Sequence, residues 1–500
     1  MIKSEVKNII RRIKNPGNGL SQRVARGGVW VFALRITNRL LGLTSTIILA
    51  RVLAPADFGL FGIALLAMSA LDTFSYAGLN IALVQKKQDI TPYLDTAWTF
   101  QIIRGFLLAL VIFVTAPYVA GFFETSAAKP ILQVIALSTL IQGFTNIGVI
   151  YFDKELEFHK QYVYQLSGTL ANVSVAIAMV LLLKSVWALV FGLLAGNFVQ
   201  MLVSYFIHPY RPRLRFNHNH FQELFSFGKW ILGSSIFVYL VTQGDNIVVG
   251  KLLGVTALGF YQLAYRLSNI PATEIAHIIS QVTFPAYSKV QTDIFKLKEA
   301  YLKVLQLTTF LSFLAAGLIF VLASDFTRIF LGNKWLPMVP AMQVLVFAGL
   351  IRAVTATASP VFIAKGKPKI DTQIQCLRLL TLGILIYPLT IRFRILGTSI
   401  AVLASLFATT ITFIPVIKIT HSHIYELSKN IIFPSISILP MILVKYIFNE
   451  YIFITGSIGF IISAIVYCLS YLLAVYILDR VSNYQLLFLI RQQLKVLKAT

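Results

Sequence analysis

Apolar runs separated by short polar breaks recur along almost the whole chain, from residue 27 to residue 478. Each is about 20 to 28 residues long, enough for a helix to cross a hydrocarbon layer of about 30 Å. The runs are too rich in Gly, Ser and Thr to read as strands, and a backbone in lipid must satisfy its own polar groups, so helices are predicted. The breaks define fourteen spans, at roughly 27–50, 58–84, 96–120, 130–152, 161–183, 186–207, 223–250, 256–284, 302–323, 337–363, 372–390, 395–417, 431–449 and 452–478. The expected fold is therefore an all-α integral membrane protein with fourteen transmembrane helices.

The pattern contains one unit twice. Around Arg51, the string that holds Leu53, Ala54, Gly59, Phe61 and Ala64 returns 200 residues later around Lys251, with Leu253, Gly254, Gly259, Tyr261 and Ala264. A second echo carries Leu140-Ile141-Gln142, Thr145 and Phe152 onto Leu350-Ile351-Arg352, Thr355 and Phe362, now 210 residues apart. The repeated string straddles spans one and two, then seven and eight. Two six-helix bundles related by a pseudo-twofold axis are expected, 27–207 and 223–420, joined by a cytoplasmic linker at 208–222 and followed by two further spans in 421–478. Many transporters are built from such repeats, with the substrate site where the repeats meet.

Composition agrees with this class. Of 500 residues, 57% are apolar and 12% charged, with a mean hydropathy of +0.78. Soluble proteins carry about a quarter charged residues. A net charge of +24 would suggest nucleic acid in a soluble chain, yet the cations sit in short segments between spans, so no nucleic-acid partner is read. With the N-terminus inside, the inner segments hold 27 Lys and Arg against eight in the outer ones. That bias orients both termini to the cytoplasm, since one miscounted span would mix the two sets. The first span carries Arg35 and Arg39 and no cleavage site, so it is not a removed signal. Segments 1–26 and 479–500 are basic and amphipathic, as helices lying on a lipid surface are.

Few groups in the spans can carry chemistry. There is no phosphate-binding loop of the ATPase type, no nucleophile motif and no metal-ligand set; no cofactor is expected. The pairs His218/His220 and His421/His423 lie in predicted loops without further ligands. Cys376 and Cys468 stand in separate apolar runs and read as packing residues. Arg35 and Arg39 share a helical face four residues apart and would repel unless an anion sat between them. They are candidate pyrophosphate ligands, as are Arg104, Arg266, Arg352 and Arg378; snorkelling of Arg35, or its pairing with Asp72, is the alternative. The intramembrane acids are Asp72, Asp245 and Glu274, with His277 one turn after Glu274. They are candidates for ion coupling or gating. Asp245 serves equally as a structural partner for Arg266 or Arg39, and Glu274 and His277 as bonds to backbone freed by Pro271. Interior cations outnumber interior acids about two to one, which favours a polyanionic substrate over an organic cation.

The segment Leu49–Phe61, the stretch from Asp245-Asn246 through Gly250-Lys251-Leu252-Leu253-Gly254 to Leu258-Gly259-Phe260-Tyr261, and Phe152-Asp153-Lys154-Glu155-Leu156-Glu157-Phe158 resemble the polysaccharide-transport family of bacterial oligosaccharide-lipid flippases. That family lies within the multidrug, oligosaccharidyl-lipid and polysaccharide exporter superfamily. The resemblance implies two bundles in a V around a central cavity open to alternate faces. It also implies a polyprenyl-pyrophosphate-linked oligosaccharide as substrate, moved across the bacterial inner membrane for O-antigen, capsule or exopolysaccharide assembly. Cavity arginines of the family are thought to meet the pyrophosphate, which fits Arg35 and Arg39. Membrane lipid and other membrane proteins of glycan assembly are the remaining expected partners. An ion-coupled multidrug exporter is the alternative, less suited to two extra spans. A membrane-bound polymerase or ligase is another, and would need a larger outer loop than any found here.

Overall fold

A proline and a single carboxylate set the first corner of the chain. In a computed structural model, which describes residues 20–75, 79–86, 88–270, 287, 290, 292–451, 456–482, 484 and 486, helix α1 (Leu20–Val52) ends at Val52 and α2 (Pro55–Phe74) begins three residues on. Pro55 opens α2 where a missing N–H costs nothing. Asp57, one turn in, accepts from the Ala54 N–H at 2.9 Å and from the Val186 N–H at 3.2 Å. The repeated string therefore encodes a helix-helix corner. In its second copy Gly254, the counterpart of Ala54, takes φ 81° and breaks α9 (His218–Ser268) at the equivalent place. Only a residue without a Cβ adopts that backbone freely.

Every regular element among the described residues is helical. The chain divides into two compact units, Met1–Gln243 and Gly244–Thr500, at a point within α9. In the first unit, α1 and α2 are followed by α3 (Leu79–Gln85), α4 (Thr91–Phe122), α5 (Ala128–Gly143), α6 (Ile150–Lys154), α7 (Phe158–Leu183) and α8 (Trp187–Ile207). The second unit continues from α9 through α10 (Ile294–Phe326), α11 (Val339–Thr355), α12 (Ser359–Ala364), α13 (Pro368–Ala408), α14 (Phe413–Thr420), α15 (Ile424–Ile436), α16 (Ile438–Tyr451) and α17 (Gly456–Ser482).

Ten of these helical stretches are long and apolar enough to cross a membrane, eleven if the bent pair Ala128–Gly143 and Ile147–Lys154 is one span. The protein is thus a multi-pass membrane protein. The stretch Pro368–Thr420 passes as a single span, yet Arg394 at φ 55° breaks α13 between the predicted spans eleven and twelve. Expectations for Glu274, His277, residues 1–19 and the tail from 487 onward lie outside the described residues.

Packing is inverted relative to a soluble protein. Large apolar side chains such as Phe106, Leu110 and Phe113 on α4, and Ile461, Ile465 and Leu469 on α17, stand exposed, while small residues face neighbouring helices. A Cβ on Gly192 would lie 2.7 Å from the Ala176 Cβ, and one on Gly196 would lie 2.9 Å from the Asn172 Cβ, so α7 and α8 touch almost backbone to backbone. Without a hydrophobic drive between helices in lipid, such close approach is what holds them. In the second unit Tyr301, Leu305, Phe313, Val346, Leu350 and Tyr471 form a core shared by α10, α11 and α17.

The end of α8 leads into a strap rather than a loose linker. Residues 208–217 run without helix along the start of α4, held through their own main chain. The Arg213 N–H donates to Asp95 at 2.9 Å, the Arg215 N–H to Thr99 at 3.1 Å and the Asn217 N–H to Thr96 at 3.2 Å. Beyond the strap, Glu223 accepts from Lys86 and, at 2.8 Å, from the Tyr93 hydroxyl. Those two bonds hold its carboxyl below the usual carboxylate range.

Candidate functional site

The expected arginines and acids separate into three places. On α1, Arg35 and Arg39 are half-buried. The Arg39 Nε and Nη2 are buried and find no hydrogen-bond partner among the described residues. A guanidinium is always charged, so leaving its donors unmatched away from water is costly unless a ligand or water supplies acceptors. The counterpart positions Ser235 and Tyr239, on the part of α9 within the first unit, line a hollow of about 370 Å³ with Ser69 and Thr73. There the Tyr239 hydroxyl donates to the Leu66 carbonyl at 2.9 Å and its ring meets Phe74 edge-on.

The second place is a cavity of about 1040 Å³ in the first unit, bounded by α2 to α8. Arg104 and Asp72 both line it, and they are bound to each other. The Arg104 Nη2 donates to the Asp72 carboxylate at 2.9 Å and to the Asp72 carbonyl at 3.0 Å, while Nε donates to the Ser75 hydroxyl at 3.0 Å. Asp72 thus pairs with Arg104 on α4. The wall also carries the amides and hydroxyls of Gln101, Thr139, Gln142, Tyr164 and Gln200, the Asp153 carboxyl and apolar side chains such as Ile81 and Ile150. Gly105 on α4 lies against Gly143, the last residue of α5, closely enough that a Cβ would fall 3.0 Å from the Gly143 Cα.

In the second unit, Asp245 is 3% exposed and accepts the Tyr261 hydroxyl at 2.8 Å, together with the Asn246 N–H at 2.8 Å. Four residues after Tyr261, the Tyr265 hydroxyl accepts from Arg352 Nη2 at 2.8 Å, and four residues later again Asn269 accepts from Nη1 at 3.1 Å. The spacing of four sets Tyr261 and Tyr265 on one face of α9, with Asn269 one turn further on just past its end, opposite Arg352 of α11. Arg378 of α13 is 7% exposed, and with Arg352 it bears electrostatically on Asp245. Arg266 lies instead on an exposed face of α9. Sequence reasoning missed Tyr261, Tyr265 and Asn269. The available signal was the hydroxyl that Tyr261 adds where the first copy of the repeat has Phe61.

Among the described residues no group of three or more His, Cys, Asp and Glu has metal-site geometry. The arrangement offers two arginine clusters and one hydrogen-bonding cavity whose guanidinium is paired with a carboxylate.

A family model described as "Polysaccharide biosynthesis protein" matches residues 48–340. The lipopolysaccharide biosynthesis protein WzxC of Escherichia coli (strain K12) is 26% identical over 354 residues, covering 70% of this chain and 72% of that protein. The succinoglycan biosynthesis transport protein ExoT of Rhizobium meliloti (strain 1021) is 24% identical over 313 residues, 63% of each chain. Among solved structures, the lipid II flippase MurJ in its inward closed conformation superposes with a TM-score of 0.73 at 15% identity, covering 90% of this chain and 99% of that one.

Proposed function

The chain belongs to the polysaccharide biosynthesis protein family, and on that footing we propose that it is a flippase for an oligosaccharide linked through pyrophosphate to a polyprenyl carrier. It moves this substrate from the cytoplasmic to the periplasmic leaflet of a bacterial inner membrane by alternating access, in O-antigen, capsule or exopolysaccharide assembly. It carries its substrate without altering a bond.

The observation that carries this reading is Arg39. Its buried, unmatched Nε and Nη2 present donors that suit a diphosphate, for which a guanidinium fork is well shaped. Arg35 stands one turn away on the same face, and Arg266, Arg352 and Arg378 complete the set of candidate ligands; Arg104, bound to Asp72, stands outside it. Ion coupling or gating falls to Asp245 and Asp72, with Glu274 and His277 as further candidates. The names of WzxC and ExoT support a polysaccharide precursor as cargo, and the fold of MurJ supports lipid translocation.

Fourteen helices arranged as six, six and two remain the proposed topology. Its support is the ten apolar stretches, the bent pair, α1 with its arginines, and the breaks at Gly254 and Arg394. The bias of cations toward one side supports both termini in the cytoplasm. Purified protein in liposomes tests the function: it should expose a lipid-linked oligosaccharide from the inner leaflet to an external glycosidase. Failure to do so with the source cell's own glycolipid overturns the reading.

A further inference from the structure

The cavity of the first unit has the wrong charge for a pyrophosphate. Its one guanidinium, Arg104, is already neutralised by Asp72, and the other ionisable group on its wall is Asp153. What it offers instead is neutral hydrogen-bonding chemistry. The Thr139 hydroxyl is buried and has no partner among the described residues, although Thr139 itself is only 3% exposed. Gln101 spends its amide N–H groups on the carbonyls of Gln142, Gly143 and Thr145, at 3.2, 3.1 and 3.1 Å, and keeps its side-chain oxygen to offer. Gln142 and Gln200 bring two further amides, each with two donors and an acceptor. Phe100 and Tyr164 add ring faces among these polar groups.

Amides and hydroxyls interleaved with aromatic faces match a ligand that alternates hydroxyls with C–H faces. That ligand is a sugar. At about 1040 Å³ the cavity reaches the upper end of the range of ligand sites, about 300–1,000 Å³, so it has room for more than one ring. The duplication sharpens the point. Gln142 is the counterpart of Arg352, so one position of the ancestral unit carries a neutral amide in the first half and a guanidinium in the second.

We propose that this cavity is a glycan-binding subsite, which holds neutral sugar residues of the substrate through Thr139, Gln142 and Gln200, while the pyrophosphate is met elsewhere. The inference rests on the flippase reading. The mechanism has a consequence for specificity: changes at these positions alter which glycan is carried and not whether a lipid pyrophosphate is bound.

Equilibrium binding to the purified full-length protein in nanodiscs tests it with two probes, the polyprenyl-pyrophosphate glycolipid fraction of the source cells and polyprenyl pyrophosphate without sugar. The wild type should bind the glycolipid more tightly. The Thr139→Val, Gln142→Leu double variant should lose about tenfold in glycolipid affinity, the scale of one or two lost hydrogen bonds. Its binding of the bare lipid should not change, which also shows that it is folded. Gln200→Leu, on another helix, should behave alike and decides the matter if the double variant loses both lipids. Variants that bind the glycolipid as tightly as the wild type overturn the subsite. A wild type that binds both lipids equally overturns it while leaving the flippase reading standing, and one that binds neither overturns both.

Discussion

Asp72 and Arg104 face each other across the first unit at 2.9 Å, joining α2 to α4 through two carbonyls and a hydroxyl as well as the carboxylate. The pair is about a quarter to a third exposed, at 24% and 34%, so screening keeps its direct worth to about 1 kcal/mol. Removing Arg104 also strips three other acceptors of their donor. Arg104→Ala should therefore destabilise the protein by about 1–3 kcal/mol. Arg104→Ala combined with Asp72→Ala should cost less than the two single changes added together. Thermal unfolding in detergent checks this, and strict additivity would show the pair to be energetically idle.

The Arg35→Glu, Arg39→Glu double variant places two carboxylates where an anion is proposed to sit. Surface polysaccharide should be abolished, while the protein reaches the membrane in normal amount. Staining of surface glycan beside an immunoblot of the membrane fraction reads both. Normal export by this variant removes the pyrophosphate role from α1.

Tyr261 gives the buried carboxylate of Asp245 its strongest side-chain donor at 2.8 Å. Tyr261→Phe keeps the ring and deletes that bond, for an expected loss of about 1–3 kcal/mol. Asp245→Asn removes the acid near Arg352 and Arg378 but keeps an acceptor for Tyr261, so it should destabilise the protein, and Asp245→Ala, which loses both, more so. If Asp245→Asn proves as stable as the wild type, the carboxylate does not balance those cations.

His208, just past the end of α8, stacks flat on Tyr151 with ring centres 5.3 Å apart and planes 3° apart. Burial, and then the charge of Lys160, push its pKa below the ordinary value of about 6.5. The folded state thus holds fewer protons on this ring than the unfolded state. Stability is complete above the unfolded pKa and falls as pH drops from about 6.5 through the lower folded value. His208→Asn should flatten the change in melting temperature between about pH 7 and 5.5. An unaltered slope would assign the acid sensitivity to other groups.

Gly192 on α8 has no room for a side chain beside Asn172 and Ala176. Gly192→Val should push α7 and α8 apart at a cost of about 1–3 kcal/mol. The same change at Gly121, where a Cβ meets nothing within 4 Å, should cost far less. Melting temperatures of the two variants give the comparison.

The features most legible in the sequence were those repeated or long. Apolar length marked most helices, and the duplicated string marked the corner at Ala54 and its echo at Gly254, because turn chemistry is local. Arg394 was harder to read. A non-glycine residue at φ 55° gives no signal in composition, and the helices on either side of it join into one stretch. Pairing was harder still. Whether Asp72 meets Arg35 or Arg104, or Asp245 meets an arginine or Tyr261, depends on how helices are rotated about their axes, and no single span encodes its own rotation. The glycan cavity escaped notice for a related reason. Its groups are uncharged, and an amide in a membrane helix stands out far less than a guanidinium.

The strap at 208–217 is read by α4 through N–H groups of the main chain, which every residue except proline possesses. The shape of this segment is thereby written largely in Asp95, Thr96 and Thr99, with Tyr210 of the strap adding its hydroxyl to Asp95 at 2.7 Å. Arg211, Arg213 and Arg215 remain exposed, and Arg211 donates back to the His208 and Tyr210 carbonyls of the strap at 2.7 and 3.0 Å. Because those bonds come from the main chain, the charge at positions 213 and 215 can change without moving the strap off the helix that holds it.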